Sequence, residues 1–260
     1  MPIPIRPQRH YPPLDSGAGL KSAAWLKSSA LNLLFPRCCP VCGEIIIPKG
    51  ALICPACMHK LSWVRRPTCM RCGKEIISGG IEYCYDCARH HRTFDSGMAI
   101  INYNELSSHS MAQIKYNNKR EYLDFYAEAI YRKLGRRILR LHPDLLVPVP
   151  VHPSRLKTRG FNQAQELALI LSEKLQIPVN TTLLSRSKNT LPQKALSPSE
   201  RLENLEQAFI SAPVPPGINT ILLVDDIYTT GSTIEACSRV LKRQGAKYIH
   251  FVTIFIGSQR

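Results

Sequence analysis

The sequence predicts an α/β protein, a mostly parallel sheet covered by helices, preceded by a small cysteine-rich metal domain. Three observations predict it. From residue 97 onward, short apolar runs alternate with segments of helical period; four CxxC pairs crowd the preceding region; and one apolar run leads directly into an acidic, hydroxyl-rich segment.

Gly97–Tyr103 reads as a strand, and Glu105–Tyr116 and Glu121–Leu141 read as helices with apolar residues at helical spacing. Leu145–Val149 is a buried strand. In the helix Gln163–Leu175, Leu167, Ile170, Leu171 and Leu175 share one face. Ile221–Val224 is a second buried strand, Thr233–Gln244 a helix and Tyr248–Ile256 a closing strand. Such alternation implies parallel strands joined by helical crossovers. Residues 95–260 therefore form the expected main domain, and 37–90 the metal domain. Ahead of them, residues 1–19 hold five prolines and read as a flexible leader. Residues 20–36, with Trp25, Leu26, Leu31, Leu33 and Leu34 before Pro36, read as a short helix packed on the metal domain.

The cysteines are strongly patterned. Cys39-x2-Cys42, Cys54-x2-Cys57, Cys69-x2-Cys72 and Cys84-x2-Cys87 make C-x2-C-x11-C-x2-C twice, offset by thirty residues. Gly43 and Gly73 follow the first knuckle of each copy, where a tight turn brings backbone N–H groups to the sulfurs. The region is too poor in large apolar residues to build its own core, and two tetrahedral Zn²⁺ ions would replace one. The spacing leaves sequential and cross-braced ligation both open. Cys38 aligns with Thr68 of the second copy, so Cys39 is the better ligand. A dithiol redox pair needs an oxidoreductase-like βαβ context that this region lacks, and a closed four-thiolate site leaves no coordination position for catalysis.

The formal charge is +15, and two Zn²⁺ on eight thiolates would still leave the chain strongly basic. The excess sits in residues 60–160, with 18 Lys/Arg against 9 Asp/Glu. A basic middle suits a polyanion, either nucleic acid or a phosphate-rich small molecule. No apolar run reaches bilayer length, and the stretch behind Arg6 and Arg9 is broken by Pro12, Pro13, Asp15 and Lys21, so neither membrane insertion nor export is expected and the cytosol is the expected location.

The segment Ile221–Thr233 passes from an apolar strand through Asp225 and Asp226 into Thr229, Thr230, Gly231, Ser232 and Thr233. Two carboxylates at the carboxyl end of a parallel strand can accept hydrogen bonds from ribose hydroxyls. Hydroxyls and a glycine at a helix start can hold a phosphate. Helix capping alone explains only one or two of these residues. The absent lysine argues against a nucleoside-triphosphate P-loop. Arg155, Lys157 and Arg159, beyond the Leu145–Val149 strand, are placed to neutralise a diphosphate. For His152 a site contact and a capping role are both open, as for Asn162; Lys115 could reach a phosphate; Cys237 reads as core.

The Ile221–Thr233 segment resembles the phosphoribosyl pyrophosphate (PRPP) motif of type I phosphoribosyltransferases. With two ribbons in front, the chain from about Leu34 onward resembles the ComF family, the double zinc ribbon and phosphoribosyltransferase proteins. The run Leu145–Gln163 is similar to that family's most recognisable block, and Arg186–Thr190, Gln193, Leu196, Arg201, Asn204 and Phe209 resemble its following loop. The resemblance implies the Rossmann-like type I phosphoribosyltransferase fold, a pyrophosphate loop at Val151–Arg155 and a flap at Ser187–Ser199. It implies PRPP with Mg²⁺ as ligand, Asp225 and Asp226 as the candidate catalytic pair on the ribose, and Thr229–Thr233 on the 5′-phosphate, with His152 and Arg155 beside them. It also implies a role in competence or the use of imported DNA. The ribbons and the basic middle could then hold single-stranded DNA, or the ribbons could dock another protein of the DNA-uptake apparatus.

Overall fold

A computed structural model describes residues 36–187 and 205–258. The leader, nearly all of the residue 20–36 helix and the flap beyond Ser187 lie outside the described residues. Four parallel strands make the main sheet in the order β1-β6-β5-β2: β1 Ser96–Asn102, β2 Leu145–Pro148, β5 Thr220–Tyr228 and β6 Tyr248–Ile256. Central β5 and β6 are buried almost throughout, as parallel strands covered on both faces must be. A small antiparallel pair, β3 Leu184–Arg186 and β4 Phe209–Ser211, was not anticipated. Three residues per strand give too little alternation to read.

Two short helices, α1 Pro55–Met58 and α2 Tyr85–Arg89, belong to the ribbons. After β1 come α3 Glu105–Tyr116 and α4 Tyr122–Arg140; after β2 come α5 Pro153–Arg159 and α6 Gln163–Leu175; α7 Ser232–Arg243 joins β5 to β6. Three of these carry side-chain caps: Asn104 Oδ1 accepts from Ser107 N (3.0 Å), His152 Nδ1 from Ser154 N (3.2 Å) and Asn162 Oδ1 from Ala164 N (3.1 Å). Helix α5 replaces part of the loop expected at Val151–Arg155: Pro153 at its first position, the His152 cap and a left-handed Gly160 at its end bracket seven residues.

Alternate residues of the strands feed two cores. Ile100, Leu222, Val224 and Val252 pack with α3, α4 and α6; Ala99, Leu223 and Phe251 pack with α7. Each ribbon joins one of these cores. The first contributes Val41, Ile46, Ile53 and Leu61 to the α4 side, while the second contributes Ile76 and its buried cysteines to the α7 side. The connection between them runs along the open edge of β1, where Val64 N donates to Ile100 O (2.9 Å) and Asn102 N to Ser62 O (2.7 Å). The edge is thereby closed. Contact at the second ribbon is tight, since a Cβ on Gly73 would stand 2.7 Å from Gly97 O. From Arg37 onward ribbons and sheet form one compact unit.

Candidate functional site

The cysteines gather as two separate quartets, Cys39/Cys42/Cys54/Cys57 and Cys69/Cys72/Cys84/Cys87, each with all sulfurs within 4.8 Å of one another. Ligation is therefore sequential, and the cross-braced alternative is excluded. A thiolate tetrahedron with Zn–S of about 2.3 Å has edges near about 3.8 Å. The Cys42–Cys54 separation of 4.0 Å and the Cys72–Cys84 separation of 3.6 Å fit it. Both quartets fit structural zinc. In each copy the first knuckle is closed by a bond from the following glycine, Gly43 N to Cys39 O and Gly73 N to Cys69 O, both 2.9 Å. The third cysteine, Cys54 or Cys84, precedes a short helix that carries the fourth. Cys38 lies outside its quartet and pairs through its backbone with Ile45, just as Thr68 pairs with Glu75 thirty residues later. The quartets differ in exposure: Cys42 is open to solvent, while Cys69, Cys72 and Cys84 are buried.

At the carboxyl end of the sheet β5 delivers the carboxylates. The strand runs past Val224 as far as Tyr228, so Asp225 and Asp226 lie within the ladder rather than in a turn. They are 8 % and 5 % exposed. Asp225 Oδ1 accepts from Asp226 N (2.8 Å). Burial, reinforced by the neighbouring Asp226 charge, pushes the Asp225 carboxyl well above the ordinary carboxylate range. Burial acts on Asp226 too, but there Lys115 and hydrogen bonds from Asp225 and Gln163 prevail and hold it below that range. The pair is thus biased in opposite directions, Asp225 toward its protonated form and Asp226 toward its charged one.

Past Tyr228 the chain turns on Gly231, whose φ of +81° is left-handed; a Cβ there would stand 2.4 Å from the Tyr228 hydroxyl. Thr229 and Thr230 are exposed, Thr230 Oγ1 lies 3.0 Å from Ser232 Oγ, and Ser232 and Thr233 open α7. Four hydroxyls thus surround the helix N-terminus.

Cations ring this end of the sheet. Lys115, in the last turn of α3, pairs with Asp226 Oδ2. Gln163, first in α6, donates from Nε2 to Asp226 Oδ1 (3.3 Å). Arg186, at the end of β3, is half-buried, and both Arg155 and Asp225 act on its charge. Burial and Arg155 pull its guanidinium below its ordinary value, and its Nε is buried without a hydrogen-bond partner among the described residues. Neither arginine has a carboxylate within ion-pair distance among the described residues. Arg159 instead lies over the Tyr116 ring (5.2 Å), and His152 serves as the α5 cap.

Comparison with known proteins places this geometry. Residues 30–88 match the double zinc ribbon domain, and residues 126–260, just over half the chain, match the phosphoribosyl transferase domain. Competence protein F of Haemophilus influenzae is 31% identical over 225 residues, covering 84% of this chain and 96% of that protein. The chain belongs to the ComF family. Other members it resembles are DNA utilization protein YhgH of Escherichia coli, 27% identical with 82% and 94% of the two chains covered, and competence protein ComFC of Bacillus subtilis, 26% identical with 74% and 79% covered. No helix among the described residues is long and apolar enough to cross a membrane.

Sequence reasoning within the ComF frame placed the carboxylates and hydroxyls on one strand and turn, and the structure keeps them together. It undervalued Lys115 and Gln163 and did not select Arg186. Lys115 and Gln163 reach Asp226 from other elements, and Arg186 feels the Asp225 charge from β3; spacing carries no signal for that. The one clue to Arg186 was its place at the head of the family's loop block.

Proposed function

We propose that this ComF member binds PRPP with Mg²⁺ at the carboxyl end of β5 and acts in the handling of imported DNA. The observation that carries the reading is the buried, oppositely biased Asp225–Asp226 pair leading into a left-handed Gly231 turn and four hydroxyls. A carboxyl biased toward its protonated form beside one biased toward its charged form suits vicinal ribose hydroxyls, which both donate and accept. The Thr229–Thr233 turn offers hydroxyls and the α7 N-terminus to the 5′-phosphate. Arg155 and Arg186, two cations without carboxylate partners among the described residues, would take the diphosphate. Lys115 already neutralises Asp226, so Mg²⁺ would be held chiefly by oxygens of the ligand itself, where it offsets diphosphate charge. The names of its relatives, competence and DNA utilization proteins, support the cellular role. The proposal is one of binding, and no acceptor reaction is part of it.

Titration calorimetry with PRPP and Mg²⁺ tests it. Wild type should give saturable heat, and Asp225→Ala/Asp226→Ala should give none while retaining two zinc ions. Absence of heat from the wild type refutes the reading.

A second observation favours single-stranded DNA as partner. Between the first ribbon and α4 lies a groove of about 870 Å³ lined by Leu52, Met58, Trp63 and Phe125, with Arg65 and Arg132 at its rim. Lys133 Nζ sits 4.3 Å from the Trp63 ring centre. Lys133 also borders a neighbouring cavity of about 240 Å³ with Arg66 and Arg137. None of these three cations has a carboxylate partner among the described residues. The Trp63 ring beside Lys133, with Arg66 and Arg137 in the adjoining cavity, suits a stacked base and its phosphates, while Arg132 is committed to Glu128. Oligothymidylate should bind with steep salt dependence and lose affinity in Trp63→Ala and Lys133→Ala; salt-insensitive binding, or none, counts against it.

A further inference from the structure

The second ribbon touches the phosphate-binding turn through a continuous set of hydrogen bonds. Arg71 lies between the knuckle cysteines Cys69 and Cys72. Its Nη1 donates to Phe94 O (3.0 Å) and Arg92 O (3.4 Å), fixing the segment that leads from the ribbon into β1. That segment grips the turn at two points. Arg92 Nη2 donates to Thr230 O (3.2 Å). Thr93 donates twice to Glu235, from N to Oε2 (2.9 Å) and from Oγ1 to Oε1 (2.7 Å). Glu235 stands in the first turn of α7 and is 1 % exposed, so its carboxylate depends on Thr93 and Arg239 for its bonds.

Beneath these bonds lies an aromatic cluster. Phe94 meets Phe251 (5.1 Å) and Tyr228 (6.2 Å) edge-on, and Tyr228 stacks on Phe251 (4.7 Å) with its hydroxyl directly under Gly231. Lys74, which follows the knuckle glycine, lies over the Tyr228 ring (5.9 Å) and pairs with Asp86 (2.9 Å) between the other two cysteines. The buried sulfurs Cys69, Cys72 and Cys84 share this core with Tyr228 and Ile234. The first ribbon packs instead with α4 and the opposite face of the sheet. Only one of the two copies, therefore, is built into the turn.

We propose that the second zinc ribbon is a positioning element for the phosphate-binding turn, acting through Arg92 on the Thr230 carbonyl and Thr93 on Glu235. The physical reason lies in the turn itself. Gly231 has a left-handed backbone and no side chain to fix it, and the exposed Thr229 and Thr230 contribute little packing. A turn of that kind binds an anion well only when its N–H groups are held in place beforehand, because ordering them on binding costs affinity. The ribbon, held by its metal, supplies the rigid wall. This inference rests on the reading that the turn receives the 5′-phosphate.

The test is Arg92→Ala beside Arg92→Lys, which keeps one donor able to reach Thr230 O. Loss of a charge-assisted bond corresponds to roughly ten-fold effects. In Arg92→Ala, amide hydrogen exchange across residues 229–235 should quicken about ten-fold and PRPP should bind about ten-fold more weakly. Inorganic pyrophosphate, whose proposed contacts are Arg155 and Arg186, should bind unchanged, and Arg92→Lys should recover part of the PRPP affinity. General loosening of the domain would weaken both ligands alike, and that result overturns the proposal, as does unchanged exchange. Should wild type bind no PRPP while exchange still quickens, the positioning role stands and the phosphoribosyl reading falls. If Arg92→Ala retains fewer than two zinc ions, Thr93→Val, which removes only the Oγ1 donor, carries the same comparison.

Discussion

Replacing Asp225 by Asn should make the protein more stable at neutral and alkaline pH, because the carboxyl sits where its ionised form is disfavoured. At 8 % exposure it faces the charged Asp226, and no cation among the described residues forms an ion pair with it. Its folded pKa is raised, so between the ordinary carboxylate value and that raised value the folded chain holds a proton that the unfolded chain releases. Stability therefore falls as pH climbs through that interval. Each unit of displacement is worth about 1.4 kcal/mol, and one buried carboxyl of this kind contributes about 1–3 kcal/mol in total. Asn keeps the acceptor for Asp226 N and can donate toward Asp226, but it cannot ionise. For a domain of this size the gain corresponds to a rise in Tm of about 3–8 °C at pH 8, shrinking toward zero as pH is lowered. Paired thermal unfolding of wild type and variant at pH 5.5, 7 and 8.5 reads the difference while zinc ligation stays common to both. A variant no more stable than wild type at pH 8.5, or a gap independent of pH, refutes the reasoning.

Gly231→Ala should cost about 1–3 kcal/mol, from the left-handed backbone and the Tyr228 hydroxyl 2.4 Å from the new Cβ, and should show as a lowered Tm with lost PRPP heat. The matched pair Gly43→Ala and Gly73→Ala separates turn strain from docking. Both residues have φ near +80°, but only the Gly73 Cβ meets the sheet, at 2.7 Å from Gly97 O, so Gly73→Ala should cost about 1–3 kcal/mol more stability and show the lower Tm of the two. Metal analysis should give two zinc ions per chain. A chromogenic chelator should remove them in two phases, the first from the site of exposed Cys42 and the slower from the buried second quartet; a single phase contradicts that difference in protection.

How far the sequence could be read depended on whether a feature was local. The helices Glu105–Tyr116 and Gln163–Leu175 and the strand Tyr248–Ile256 have the bounds their periodicity predicts, since cap, face and length are all written along the chain. The zinc quartets were legible for a different reason. A thirty-residue repeat of eight thiol ligands has few other physical explanations, although spacing could not choose the pairing. What escaped through crossovers was the ladder that carries β5 on to Tyr228 and the convergence of Lys115 and Gln163 on Asp226, with Arg186 within the electrostatic influence of Asp225; helix α5 escaped although its cues, Pro153, His152 and Gly160, are local.

The duplicated ribbon answers a problem posed by β1. That strand lies at the edge of a parallel sheet, with apolar side chains on both faces and an unpaired backbone rim. One helix layer cannot cover two faces and an edge together. Two zinc-held units can, provided the link between them is extended where it crosses the edge, and Ser62–Val64 is such a link. Neither ribbon has apolar residues enough for a core of its own, so each completes its core on the sheet, and the sheet in turn is closed by both. The arrangement explains why a structural metal belongs to a phosphoribosyl domain at all. Once the second unit must sit on the α7 face to cover β1, its exit segment, Arg92 and Thr93, passes directly over the turn at Thr230.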